Sequence, residues 1–224
     1  MSNENGDVHV LEETTLERDL GVLISNDLKQ AEQVKASAAK ANRVLGMLKK
    51  SFKHRGLHLW RTLYMTYVRP HLEFAVQAWS PYLAGDVDVL ERVQNRATKA
   101  ITVLRHLPAE ERNRRLGLTS LVLRRERGDL IQQYKFLRGI DEINWHHPPK
   151  TMPSLAADGP AGAIRGHNMR IEAQQVKGCE QRFNFFTRRI ADPWNALSQH
   201  VIDSPTVNVF KNRIDEFYRN NQRF

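Results

Sequence analysis

The sequence predicts a mainly α protein: a helical bundle preceded by a short N-terminal β-hairpin and followed by a small mixed C-terminal extension. Three observations predict it. Apolar residues recur at three- and four-residue steps from Leu28 as far as Leu137, strand-like alternation opens the chain, and prolines and glycines gather between Gly139 and Gly162.

The elements follow in order. Val8 and Val10, then Leu20, Val22 and Ile24, alternate around a polar connection from Glu12 to Arg18, so residues 1–28 read as a hairpin. Leu28, Ala31, Val34, Ala38, Ala41, Leu45, Leu48 and Phe52 line one face of the strongest helix, with Gly56 as its stop. Leu59, Trp60, Leu63, Tyr64, Tyr67 and Val68 start a second apolar face. Pro70 suits the first turn of the next helix, where its missing amide proton costs nothing, and Leu72, Ala75, Val76 and Trp79 carry on to Pro81. Gly85 and Asp86 cap a helix whose buried stripe is Val89 or Leu90, Val93, Ala97, Ile101 and Leu104. Glu110 and Glu111 precede Arg112, Arg114 and Arg115 ahead of Gly117, the order a helix dipole favours. Thr119 caps a helix running through Leu123, Leu130, Ile131, Tyr134 and Leu137 to Gly139.

These features place a helical domain at 29–139, a Pro/Gly-rich linker at 140–162 and an extension at 163–224. In the extension, Ile164, Met169, Ile171 and Val176 suit a strand or weak hairpin. Phe183, Phe185, Phe186, Ile190, Trp194 and Leu197 form an aromatic cluster, and Ser204 or Thr206 caps a terminal helix carrying Val207, Phe210, Ile214 and Phe217.

Charge is distributed unevenly. The net charge is +9. Residues 1–28 carry one basic and seven acidic side chains, residues 29–139 carry 22 and 9, and residues 140–224 carry 11 and 9. The positive excess therefore sits in the helical stretch and points to a polyanionic partner. No apolar run approaches the length of a membrane span, and Met1 to Asp7 is polar and acidic, unlike a signal or transit peptide, so an intracellular protein of nucleus or cytoplasm is expected. The single cysteine, Cys179, has no partner thiol for a disulfide or a structural zinc.

Several runs resemble LINE-type, jockey-like non-LTR retrotransposon reverse transcriptases. They are Glu17-Arg18-Asp19-Leu20-Gly21-Val22, Lys40-Ala41-Asn42-Arg43-Val44-Leu45-Gly46, and Tyr67-Val68-Arg69-Pro70-His71-Leu72-Glu73-Phe74 ending in Trp79-Ser80-Pro81. In the same order come Leu90-Glu91-Arg92-Val93-Gln94-Asn95-Arg96-Ala97-Thr98-Lys99, Arg115-Leu116-Gly117-Leu118-Thr119-Ser120-Leu121, and a closing block with Asn184-Phe185-Phe186, Trp194-Asn195 and Phe210-Lys211-Asn212-Arg213. Pro193 and Ser198 depart from that block. The resemblance implies the last strands of a polymerase palm, a thumb-like bundle and a C-terminal extension. Polymerase chemistry needs paired metal-binding aspartates, and no Asp-Asp pair occurs anywhere in the chain. The expectation is a non-catalytic, nucleic-acid-binding piece of an RNA-directed DNA polymerase, not an enzyme on its own, with no cofactor and with RNA or an RNA/DNA hybrid as partner. The alternatives are a protein-interaction or structural module, retained by a host, and an inert, pseudogene-like product. Without a palm beside it, the hairpin edge is also left open to homodimer formation.

The binding candidates are cationic. Lys49, Lys50, Lys53 and Arg55 mark one helix end; Arg92, Arg96 and Lys99, spaced by four and three, share a face; Arg124, Arg125 and Arg127 stand on a third helix. The ordinary alternative is a set of solvated helix faces. Trp60, Tyr64, Trp79, Phe183 and Trp194 are assigned to core packing, and Tyr82, beside Pro81, is the aromatic most suited to stacking. His54 and His58 stand four apart but lack an intervening acid and a third ligand, which argues against zinc. His146 and His147 read as a loop, and Asp86 and Asp88 as a helix start.

Overall fold

The computed structural model describes residues 13–144, 149–151 and 166–221. It is mainly helical with a small N-terminal hairpin. Strand β1 (Leu16–Asp19) pairs antiparallel with β2 (Val22–Ser25), with Leu16 opposite Ser25 and Asp19 opposite Val22. Leu20 (φ 45°) and Gly21 (φ 87°) make the turn, and positive φ at both positions matches the twist of a tight hairpin. The first strand therefore falls inside the stretch expected to be a connection, while Val8 and Val10 lie outside the described residues. All four β1 residues are exposed, so no alternation betrays the strand.

The Asp27 carboxylate accepts from Ser25 Oγ at 2.6 Å and from the Lys29 amide at 3.0 Å, turning the chain into helix α1 (Ala31–Ser51). Leu28, expected on the buried stripe, instead sits in this turn at φ 56° with 60% of its surface exposed. The buried face of α1 is Val34, Ala38, Ala41 and Leu45. Phe52 ends the helix in extended backbone. Helix α2 (Leu57–Leu63) runs into a π turn at Tyr64–Val68, closed by the Arg69 amide on the Tyr64 carbonyl at 3.0 Å, and then into α3 (Pro70–Glu73). Ala75, at φ 51°, breaks the rod before α4 (Val76–Trp79).

Helix α5 (Ala84–Thr98) begins after Leu83, two to three residues earlier than the Gly85–Asp86 cap expected from sequence. A 3₁₀ turn at Thr102–Leu104 leads to α6 (Ala109–Leu116), which Gly117 ends at φ 58°. Helix α7 (Leu121–Leu137) is capped by Ser120, not Thr119: the Ser120 hydroxyl accepts from the Leu123 amide at 3.3 Å. The extension contributes short helices α8 (Glu180–Phe183), α9 (Phe186–Arg189), α10 (Ala191–Asn195) and α11 (Gln199–Ile202), then α12 (Val207–Asn220) capped by Thr206. Its expected strand reduces to a single bridge between Thr151 and Ile171, and Ile164 lies outside the described residues.

Two apolar cores result. The first gathers Val34, Leu45, Trp60, Val68, Leu72, Leu90, Val93, Ile101 and Leu121; the second gathers Leu130, Tyr134, Ile171, Ile190, Trp194, Phe210 and Ile214. Helix α7 gives one end to each. Gly139, the expected domain boundary, thus ends a helix without separating the cores, because Tyr134 stacks on Phe210 at 4.2 Å and its hydroxyl donates to the Ser204 carbonyl at 2.5 Å. Trp60, Tyr64, Trp79 and Trp194 are buried as expected, but Phe183 is 48% exposed. Among the described residues no helix is long and apolar enough to cross a membrane.

Candidate nucleic-acid interface

Helices α1 and α5 lie side by side with their C-terminal ends together. Arg96 Nη1, in the last turn of α5, donates to Asn42 Oδ1, midway along α1, at 2.6 Å, and Arg55, just past α1, donates to the Ala100 carbonyl just past α5 at 3.4 Å. Between these ends opens a cleft of about 500 Å³ lined by Lys49, Arg55, Arg92, Arg96, Lys99 and Arg105, with Asn95 and Thr102. Helix C-termini carry partial negative charge, which helps to hold basic side chains there before any ligand arrives.

The walls are braced from behind. Buried Arg112 donates from Nε to Thr98 Oγ1 at 3.0 Å and from its terminal nitrogens to the Leu107 carbonyl and Asn95 Oδ1. The Arg55 guanidinium lies 5.3 Å from the ring centroid of Trp60, whose indole nitrogen donates to the Ala97 carbonyl at 2.8 Å. Arg55 also donates to the Lys49 carbonyl at 2.9 Å. Burial first, and then the neighbouring Arg96 and Arg55 charges, push the Lys49 ammonium below the ordinary lysine range.

Among the described residues, no carboxylate comes within ion-pair distance of Lys49, Arg55, Arg92, Arg96, Lys99 or Arg105. Elsewhere cations find acids: Arg114 and Arg115 hold Glu111, Arg69 and Arg124 hold Glu73, and Arg188 and Arg189 hold Asp192 and Asp129. Cations concentrated in a concave site without counter-charge are what a phosphate backbone neutralises.

Five of the sequence candidates, Lys49, Arg55, Arg92, Arg96 and Lys99, meet in this cleft. Lys50 and Lys53 are exposed at the same helix end, outside its lining. Arg105 was missed, since it belongs to a short turn with no helical face of its own to mark it. The α7 arginines lie outside the cleft lining. Arg124 forms a bidentate pair with Glu73 at 3.0 Å, Arg127 one with Asp215 at 2.6 and 2.9 Å, and Arg125 is 3% exposed. Arg124 and Arg127 tie elements together, because their acidic partners arrive from remote parts of the chain, whereas Arg125 is buried in the interior.

Tyr82 is half-buried, and its hydroxyl is shielded without a hydrogen-bond partner. Tyr67, expected on an apolar face, is 54% exposed. Among the described residues no group of three or more His, Cys, Asp or Glu side chains is placed to hold a metal ion. Cys179 is exposed. In comparisons with known proteins, no family model, no curated protein and no solved structure matches the chain.

Proposed function

We propose that the protein is a non-catalytic nucleic-acid-binding module that grips a sugar-phosphate backbone in the cleft between α1 and α5. The observation that carries this reading is the convergence of six cationic side chains with no carboxylate among them. The resemblance to LINE-type reverse transcriptases supports it further and suggests a thumb-like piece whose polymerase palm lies outside this sequence, with RNA or an RNA/DNA hybrid as the partner. Contacts of this kind position a protein without reading bases, so sequence preference is weak. Affinity for a single strand should fall with salt at a logarithmic slope near −4 if about six phosphates are neutralised. A slope near zero, or no binding to RNA, DNA or hybrid at low salt, removes the reading.

One observation favours a second reading as a protein-interaction module. An apolar groove of about 640 Å³ lies between the hairpin and the extension, lined by Val22, Ile24, Leu28, Trp79, Phe136, Ile143, Phe185 and Phe186 among others. Exposed apolar surface of this kind marks protein contacts. Concentration-dependent association without nucleic-acid affinity would select it over the first.

A further inference from the structure

The apolar groove between the hairpin and the extension is built from segments far apart in sequence: Val22 and Ile24 of β2, Leu28 in the turn after it, Trp79 of α4, Phe136 of α7 and Phe185 at the start of α9. Ile24, Leu28, Ile143 and Phe185 are 43, 60, 44 and 45% exposed, so it is a furrow open to solvent and not an enclosed cavity. Such a furrow suits a ridge of apolar side chains. Leu28 is the informative wall. Its φ of 56° is costly for a leucine, and its side chain gains little burial in return. Strain and exposure at one apolar residue have no compensation within the chain and point to a partner that covers it.

Two further observations define that partner. The charged residues of the lining are Lys29, Arg182 and Arg189, with no carboxylate among them. Lys29 has Asp27 at 3.5 Å and Arg189 is held by Asp129. Arg182, among the described residues, has no ion pair; it donates to Gln174 Oε1 at 2.9 Å and lies 6.0 Å from the Phe185 ring centroid. Negative charge on the partner therefore belongs beside Arg182. An added strand is disfavoured, because outward backbone groups of β2 are taken: the Leu23 amide donates to Gln33 Oε1 at 2.9 Å, and the Ser25 carbonyl accepts from the Leu28 amide at 2.9 Å. A helix satisfies its own backbone and needs no such edge.

We propose that the groove receives an acidic amphipathic helix of a partner protein, with apolar side chains at helical spacing over Leu28 and Phe185 and a carboxylate at Arg182. This rests on the groove being a protein contact. No residue lines both the groove and the basic cleft, so one molecule can hold the helix and a polyanion together.

Cys179 is exposed, lines the groove and is the only thiol in the chain, so its alkylation by iodoacetamide reports occupancy. The test pans a phage library of helical peptides of about 14 residues, four turns, against the full chain. Enriched peptides should carry apolar residues three and four apart beside Asp or Glu, and should slow Cys179 alkylation. Arg182→Glu should weaken them about tenfold and, panned afresh, should enrich basic peptides instead. Leu28→Gly should weaken them about tenfold without lowering the melting temperature, since glycine takes positive φ freely. Protecting peptides that are not acidic, or that bind Arg182→Glu equally well, overturn the proposal and leave the groove as a protein contact. Protection that rises with the concentration of the chain alone does the same, assigning the groove to a second copy. If no peptide protects Cys179, or only a small amphiphile such as dodecanoate does, the proposal and the protein-contact reading both fall.

Discussion

Arg189 and Asp129 form a bidentate pair, with Nε at 2.8 Å from Oδ2 and Nη2 at 3.0 Å from Oδ1. Nη2 also donates to the carbonyls of Val76 and Gln77 at 3.0 and 3.1 Å, so one guanidinium fastens α9 to α7 and α4. Asp129 is buried, and removing it strands a charge away from water. Asp129→Ala should destabilise the protein by about 3 kcal/mol or more, lowering the melting temperature by roughly 10 °C. Calorimetry showing a shift below a few degrees would contradict this account of the pair.

His167 supplies a pH-dependent prediction. The Met169 amide donates to Nδ1 at 3.2 Å, so the ring proton belongs on Nε2, which donates to the Trp194 carbonyl at 2.9 Å. Burial chiefly holds this imidazole below its usual range; Arg170 pushes the same way, and the Trp194 carbonyl and Asp203 oppose. The unfolded chain therefore takes up the proton first as pH falls. The stability this neutral ring contributes is present above the unfolded value near 6.5 and is lost as pH drops through the folded one. The melting temperature should be lower at pH 5 than at pH 7.5, and His167→Gln should flatten that difference.

For the cleft, Arg96→Glu combined with Lys99→Glu should weaken hybrid binding at least tenfold near 0.1 M salt and make the salt slope shallower by about 2. Arg127→Ala, by contrast, should alter melting through its lost pair with Asp215 and leave the slope where it was. A slope that responds to Arg127 as strongly as to Arg96 would refute the division between cleft and scaffold.

The edge of β1 resists a second copy of itself. In a two-fold antiparallel pairing, opposed side chains must share a face, so a residue of this strand meets its own copy. Centring on Glu17 opposes two glutamates; centring on Arg18 opposes two arginines and sets Glu17 against Asp19. Like charges directly opposed are unfavourable. Glu17→Val with Arg18→Val should promote dimer formation in analytical ultracentrifugation, and the parent chain should remain monomeric through this edge.

The helical architecture was legible because α1 and α5 bury stripes at regular spacing, and Arg92, Arg96 and Lys99 share a face for the same local reason. What sequence spacing does not reveal is a partner brought in from far away. Arg124 and Arg127 carry the same pattern of charge as the cleft arginines, yet Glu73 and Asp215, 51 and 88 residues distant, convert them into struts. The opposite error affects β1, whose exposed side chains leave no alternation to read. Arg105 escapes notice because three residues of 3₁₀ turn, not a helix face, carry it to the cleft rim.

Helix α7 is shared property: Leu121 belongs to one apolar cluster, Leu130 and Tyr134 to the other. Such a joist cannot be sawn through without loosening both rooms. The aromatic tail, though it contributes no charge to the groove between α1 and α5, becomes part of that groove's foundation, and deleting α12 would be felt at a surface it never touches.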